Sequence, residues 1–315
     1  MQQRSVGSSG LRVSRLGLGT MTWGRETDEH EARDGLVAFV DAGGTLVDTA
    51  GVYTDGRAET MLGALIGDVV PRDDLVLATK SGLGSRAGRR HVDASRGRLL
   101  SGLDASLRRL GTDHVDLWLV HAPDPLTPFE ETLSALDHAV ATGRTRYVGL
   151  SNHGAWQTAR AATWQQAVPG RAPLVASQVE YSLLNRSVEL DGVPAAEATG
   201  LGLLPWSPLG RGVLTGKYRH GLPADSRAAS DHWRRFVEAY LDDRAGAVVG
   251  AVVRAAEGLD LSPVQVALAW IRDRPLVSAP IVGARTAAQL REALRAEDVV
   301  LPTEIVAALD DVSAD

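Results

Sequence analysis

The stretch "DDLVLATKSG", residues 73–82, is an apolar run of β character that stops on a lysine. A strand that reads as a nearly continuous apolar run, rather than as an alternation, suits a parallel sheet covered on both faces. Seven more segments read the same way, at 15–19, 45–49, 115–121, 146–151, 174–180, 202–207 and 277–283. Amphipathic helical patterns separate them, at 28–41, 58–67, 93–109, 128–141, 155–166, 187–199, 244–257 and 286–295. Asp93 stands as a start signal ahead of one of these, and "SPVQVALAW" (262–270) puts proline at a first helical position. Eight strand–helix units in about 280 residues match a single α/β domain over 1–315, a (β/α)8 TIM barrel, better than two domains. No Pro/Ser-rich linker marks a boundary. The opening "RSVGSSGLRVSRL" predicts an N-terminal β-hairpin around Ser9-Gly10 that plugs the barrel bottom. A long polar loop, 208–243, follows the seventh strand, and loops of that length are usually functional or disordered.

Composition narrows the function classes. A net charge of -6 supplies no basic field for nucleic acid or an anionic membrane, so an anionic ligand needs local donors. The absence of cysteine excludes disulfides, thiolate nucleophiles and thiolate metal sites. Neither His-x-His nor paired histidines stand at strand ends, so no metal site is expected. "MQQRSVGSSGLRVSRLG" has no apolar core of signal-peptide length, and no run approaches ~18 apolar residues. The expectation is a soluble cytoplasmic protein.

Three glycine patterns imitate motifs that they do not complete. In "GLGSRAG" (82–88) the third glycine falls one residue late for a dinucleotide fingerprint. "GRGVLTGKY" (210–218) has Arg211 at the first glycine of a phosphate loop and Tyr218 at its Ser/Thr position. "GLSNHG" (149–154) has His153 where a nucleophile elbow needs glycine. All three read as glycines of tight βα loops.

In a barrel of this kind chemistry sits at the C-terminal strand ends. Strand two closes on Asp48, strand three on Lys80 and strand four on His121, each ending an apolar segment, and Tyr53 follows in the loop "TAGVYTDGRAE". Lysine is rare here, since only Lys80 and Lys217 occur among 33 basic residues. An aspartate keeps a neighbouring lysine charged, and a charged lysine stabilises phenolate, which suits a tyrosine to general-acid work near neutral pH. A compact ammonium approaches a phenol without filling the pocket as a guanidinium would. Each residue alone has an ordinary reading as an ion pair, a loop hydrogen bond or packing. Their coincidence at three successive strand ends favours catalysis.

These residues resemble those of the aldo-keto reductases, in the branch related to ion-channel β subunits. "LVDTAGVYTDGRAE" is similar to the strand-two signature of that family, "LATK" carries the matching lysine and "DLWLVHAPD" the matching histidine. "GLGTMTWG", "GRTRYVGLSN", "SQVEYSLLNR", "WSPLGRGVLTGKY" and "APIVGARTAAQL" extend the likeness over about residues 5 to 310. The resemblance implies a barrel that binds NADPH and reduces a small-molecule aldehyde or ketone. Tyr53 would be the proton donor, Asp48 and Lys80 its tuning pair and His121 the group that orients the carbonyl, with hydride passing from the nicotinamide. It also implies a cofactor set. Gly19, Thr20, Met21 and Asp48 lie on one side, Ser151, Asn152 and Gln178 at the nicotinamide amide, and Trp206 stacks on that ring. Ser207, Pro208, Leu209, Gly210, Gly212 and Lys217 would wrap the pyrophosphate. Gly283, Arg285, Gln289 and Glu292 would hold the adenosine end, with Arg285 on the 2′-phosphate. Trp23 and Trp118 join Tyr53 and His121 as candidate pocket walls. The chain departs from the family at Ala293, where asparagine is common.

Two other readings stay open. A Schiff-base lyase would use Lys80 and needs its pKa depressed. A cofactor-holding, redox-sensing module would keep the same site with slow turnover.

Overall fold

The computed structural model describes residues 1–86, 89–224, 226–230 and 233–314. All eight predicted strands take part in one ring. Gly17–Gly19 (β3), Leu46–Asp48 (β4), Val76–Ser81 (β5), Val115–Val120 (β8), Thr145–Ser151 (β9), Leu174–Gln178 (β10), Gly202–Leu203 (β11) and Ile281–Gly283 (β12) pair in parallel, in the order β11-β10-β9-β8-β5-β4-β3-β12. The ring closes where the Leu203 N–H donates to Leu276 O at 2.8 Å and Ser278 N–H donates to Leu203 O at 2.9 Å. This is a (β/α)8 barrel. The seventh and eighth strands are shorter than their apolar runs because Pro205 and Pro280 bring no N–H to a ladder.

Gln3–Ser5 (β1) and Arg12–Ser14 (β2) form the expected antiparallel hairpin. Val6, Leu11 and Val13 of this hairpin pack with the inward residues Leu46, Ala78, Leu117, Leu119 and Ile281, so the hairpin closes the floor. A second hairpin, Leu83–Arg86 (β6) with Arg89–Val92 (β7), was not legible in "GLGSRAG", of which residues 87 and 88 lie outside the described residues.

Helices Glu29–Asp41 (α1), Arg57–Leu65 (α2), Arg96–Leu110 (α3), Phe129–Ala141 (α4), Ala155–Gln166 (α5) and Gly192–Thr199 (α6) alternate with the strands. Arg234–Glu238 (α7), Asp243–Leu259 (α8), Pro263–Arg272 (α9), Ala287–Leu294 (α10) and Thr303–Ser313 (α11) follow. Local chemistry starts them. Asp28 accepts from the Glu31 N–H, Asp242 from Ala245, and Ser262 exchanges hydrogen bonds with Gln265 in a capping box behind Pro263. Asp93 is not itself a cap. Ser95 occupies the N-cap of α3, and Asp93 Oδ1 accepts from its N–H and hydroxyl. Outward strand residues such as Val47, Leu77, Trp118 and Val120 pack in one apolar layer with helix residues Leu36, Leu62, Leu103 and Leu136. Among the described residues no helix is long and apolar enough to cross a membrane.

The 208–243 segment is more ordered than a polar loop. It forms tight turns at Gly210–Thr215 and Arg227–Ala229 and then α7, although residues 225, 231 and 232 lie outside the described residues. Arg211 anchors it. Its guanidinium forks onto both oxygens of Glu180 at 2.9 and 2.8 Å and lies 4.0 Å from the centre of the Phe236 ring.

Candidate active site

Register decides the site. Asp48 is paired with Ala78 across β4 and β5, and Lys80 with Leu119 across β5 and β8, so both charged side chains point inward above the apolar floor. Lys80 Nζ uses all three of its hydrogens. It donates to Asp48 Oδ2 at 2.7 Å, to Thr49 O at 2.8 Å and to the Tyr53 hydroxyl at 3.1 Å. The ion pair is nearly sealed, with 1% of the lysine side chain and 4% of the aspartate exposed. Burial alone would lower the Lys80 pKa, but the Asp48 carboxylate and the Tyr53 oxygen reverse this and hold the ammonium above its ordinary value. His121 follows β8 directly, and its ring meets the Tyr53 ring edge-on at 6.0 Å between centres. The four predicted residues therefore form one cluster.

The expected cofactor residues surround the same mouth. Gln178 Nε2 donates to Asp48 Oδ1 at 2.8 Å, which joins opposite sides of the barrel and, with Lys80 on Oδ2, gives each carboxylate oxygen a donor. Asn152 donates to His121 O at 2.9 Å and to Ser151 Oγ at 3.1 Å, while its Oδ1 accepts from Trp206 Nε1 at 3.0 Å. Thr20 caps Asp48 O from β3, between Gly19 and Met21. Among the described residues, five of the seven non-glycine residues with positive φ lie in mouth loops: Thr54, Asp55, Asn152, Ser207 and Arg211. Such backbone is held where a site over-determines it.

Beyond Trp206, the loop Ser207–Pro208–Leu209–Gly210 turns onto Gly212, where an added Cβ would stand 3.4 Å from Lys217 Nζ. At the far end Gln289 Oε1 accepts from the Arg285 N–H at 3.0 Å, Gly283 is exposed, and Glu292 pairs with Arg295. Ala293 is buried in the apolar layer, where an asparagine would need a polar partner.

Arg227 escaped the sequence reading. Burial holds its pKa below the ordinary value; Glu26 opposes that shift, and the like charge of Arg285 adds to it. The signal in the sequence was thin, an arginine in a polar insertion. Trp233 Nε1 of the same segment donates to Glu26 Oε1 at 2.6 Å, so the insertion reaches across the mouth to the loop after β3. Lys217, Arg227 and Arg285 on a chain of net charge -6, beside a loop left open by Gly212, are a donor set that fits a multiply anionic dinucleotide.

Both tryptophan expectations are corrected. Trp118 lies one residue out of phase with the inward Leu117 and Leu119. It is 0% exposed in the helix-facing layer, where its Nε1 donates to Ser81 Oγ at 3.1 Å. Trp23 is 2% exposed in the same layer, and its carbonyl accepts from Thr54 Oγ1 at 2.8 Å, so it supports the Tyr53 loop rather than lining an open pocket.

The family model described as the aldo/keto reductase family matches residues 15–314. The chain is 38% identical to a probable voltage-gated potassium channel subunit beta of Oryza sativa subsp. japonica, with 99% of this chain and 96% of the relative covered. It is 34% identical to the L-glyceraldehyde 3-phosphate reductase of Escherichia coli (strain K12), over 100% of this chain and 93% of the relative. It is also 34% identical to the uncharacterized oxidoreductase YrpG of Bacillus subtilis (strain 168), over 99% and 96%.

Proposed function

The chain belongs to the aldo/keto reductase family, and from that premise we propose that it is an NADPH-dependent oxidoreductase that reduces an aldehyde or ketone to an alcohol. The observation that carries this reading is Lys80 Nζ, hydrogen-bonded at once to Asp48 and Tyr53. Tyr53 holds the proton at its phenol oxygen and gives it to the carbonyl oxygen. The ammonium 3.1 Å away stabilises the phenolate that remains, and Asp48 keeps the ammonium charged. His121, against the edge of the Tyr53 ring, orients the carbonyl. A reduced nicotinamide dinucleotide, when bound, supplies the hydride. Ser151, Asn152, Gln178 and Trp206 would hold its nicotinamide end, the Ser207–Gly212 loop and Lys217 its pyrophosphate, and Arg227 with Arg285 its 2′-phosphate. The substrate is a small carbonyl compound.

An NADPH-consumption screen across aldehydes, quinones, ketosteroids and keto sugars tests the activity. Tyr53→Phe should abolish turnover and leave NADPH binding intact; unchanged turnover in that variant sinks the mechanism. The raised Lys80 pKa disfavours the lyase reading, because an ammonium is no nucleophile. A cofactor-holding module is the second reading, favoured by the strap that Trp233 fastens to Glu26 and by the channel-subunit relatives. It predicts slow single-turnover oxidation of bound NADPH, with release limiting.

A further inference from the structure

Glu59 is a carboxylate with 0% of its side chain exposed, and the chemistry above does not use it. It sits in the first turn of α2, immediately after the Tyr53–Gly56 turn. Its Oε1 accepts from Thr79 Oγ1 at 2.6 Å, and its Oε2 accepts from Arg109 Nε of α3 at 2.7 Å. Thr79 is the residue before Lys80. The pair therefore ties the end of the Tyr53 turn to the strand that carries Lys80, on the outer side of the sheet.

Arg109 also forms the underside of the loop. A Cβ at Gly51 would stand 3.1 Å from its Nη2, and one at Gly56 would stand 2.9 Å from its Cδ and Nε. The two glycines bracket Tyr53 and let the loop settle directly on the guanidinium. The turn needs that support, because Thr54 (φ 47°), Asp55 (φ 56°) and Gly56 (φ 87°) are all left-handed in succession. The Thr54 hydroxyl, which donates to Trp23 O at 2.8 Å, ties the turn on another side.

We propose that Glu59 and Arg109 are positioning residues, a clamp that holds the Tyr53 phenol within hydrogen-bonding distance of Lys80. A displacement of about 1 Å in a reacting group costs on the order of 100-fold in rate. Loosening the clamp should therefore act on kcat and leave binding nearly unchanged.

The double variant Glu59→Gln with Arg109→Met tests this. It leaves no buried unpaired charge, keeps an acceptor for Thr79 and keeps the aliphatic volume of the arginine stem. The kinetic arm rests on the reductase reading and uses NADPH with 4-nitrobenzaldehyde. The second arm does not rest on it: ultraviolet titration of phenolate near 295 nm, with Tyr53→Phe subtracted in each background. Lys80, Asp48 and His121 are charged or titratable groups that face that phenol among the described residues. The expected result is kcat lowered about tenfold or more, KM and NADPH affinity within about threefold, and the Tyr53 ionisation midpoint moved up by about half a pH unit or more. A folded double variant whose Tyr53 midpoint is unmoved overturns the clamp, whatever its kcat. If the wild-type chain reduces no carbonyl, the reductase reading fails and the titration still decides the clamp. Should the double variant not fold, Arg109→Lys carries the same titration. A lysine cannot fork between Glu59 and Ser106 as the arginine does, so an unmoved midpoint there overturns the proposal equally.

Discussion

Replacing Lys80 with methionine removes the ammonium and keeps most of the side-chain volume, which isolates the electrostatics of the site. In the variant Asp48 stays in a position where 4% of its side chain is exposed, with Gln178 Nε2 as its remaining side-chain donor. Breaking a buried ion pair by removing one partner costs about 3–5 kcal/mol, because the other charge is left uncompensated. For a chain of this length about 1 kcal/mol moves the melting midpoint by roughly 2 °C, so Lys80→Met should melt about 6–10 °C below the wild type. The orphaned charge, rather than lost packing, is the stated cause. Adding Asp48→Asn must therefore return part of the loss, about 2 kcal/mol or roughly 4 °C, within the range of coupling between directly contacting residues. Thermal unfolding of the cofactor-free single and double variants at pH 7, followed by circular dichroism, measures both quantities. A Lys80→Met midpoint within about 2 °C of wild type, or a double variant no more stable than the single, would refute the buried-pair argument.

Further expectations follow from other parts of the molecule. Burial lowers the His153 pKa from 6.5 to about 4, despite its hydrogen bond to Ser151 O. The unfolded chain therefore binds this proton between those values and the folded chain does not. The contribution is complete above pH 6.5 and is lost as pH falls towards 4, amounting to about 3 kcal/mol. His153→Phe should flatten that limb of the stability–pH curve, and an unchanged slope argues against it. Arg285→Ala and Arg227→Ala should each weaken NADPH about tenfold or more and NADH much less, as expected of charge-assisted contacts to a phosphate; equal losses for the two cofactors contradict the 2′-phosphate assignment. Arg211→Ala strips Glu180 of its bidentate partner and should speed both NADPH release and protease cleavage between residues 208 and 243. Equal cleavage of the wild-type segment with and without NADPH counts against its closing over the cofactor.

The sequence by itself determined the barrel and the group of polar residues at its mouth. Parallel strands covered on both faces demand continuous apolar runs, and a charge at the end of such a run stands out. That is why the eight strands and the group Asp48, Tyr53, Lys80 and His121 were legible in "TLVDTAGVY", "LVLATK" and "DLWLVH". The same continuity hid which way each side chain faces. "LWLV" (117–120) is apolar on both sides of the strand, so its apolar pattern did not place Trp118 outward against Ser81 rather than in the pocket; the one local hint was Asp116, two residues earlier on the same face. Pairings between residues far apart in the chain were equally invisible, since register and closure decide them. Gln178 reaches Asp48 across the barrel, Trp233 meets Glu26, Arg227 stands near Arg285, and Arg109 lies beneath the Tyr53 loop. Residue types along the chain settled what chemistry could occur, and only the closed ring settled which of those residues meet.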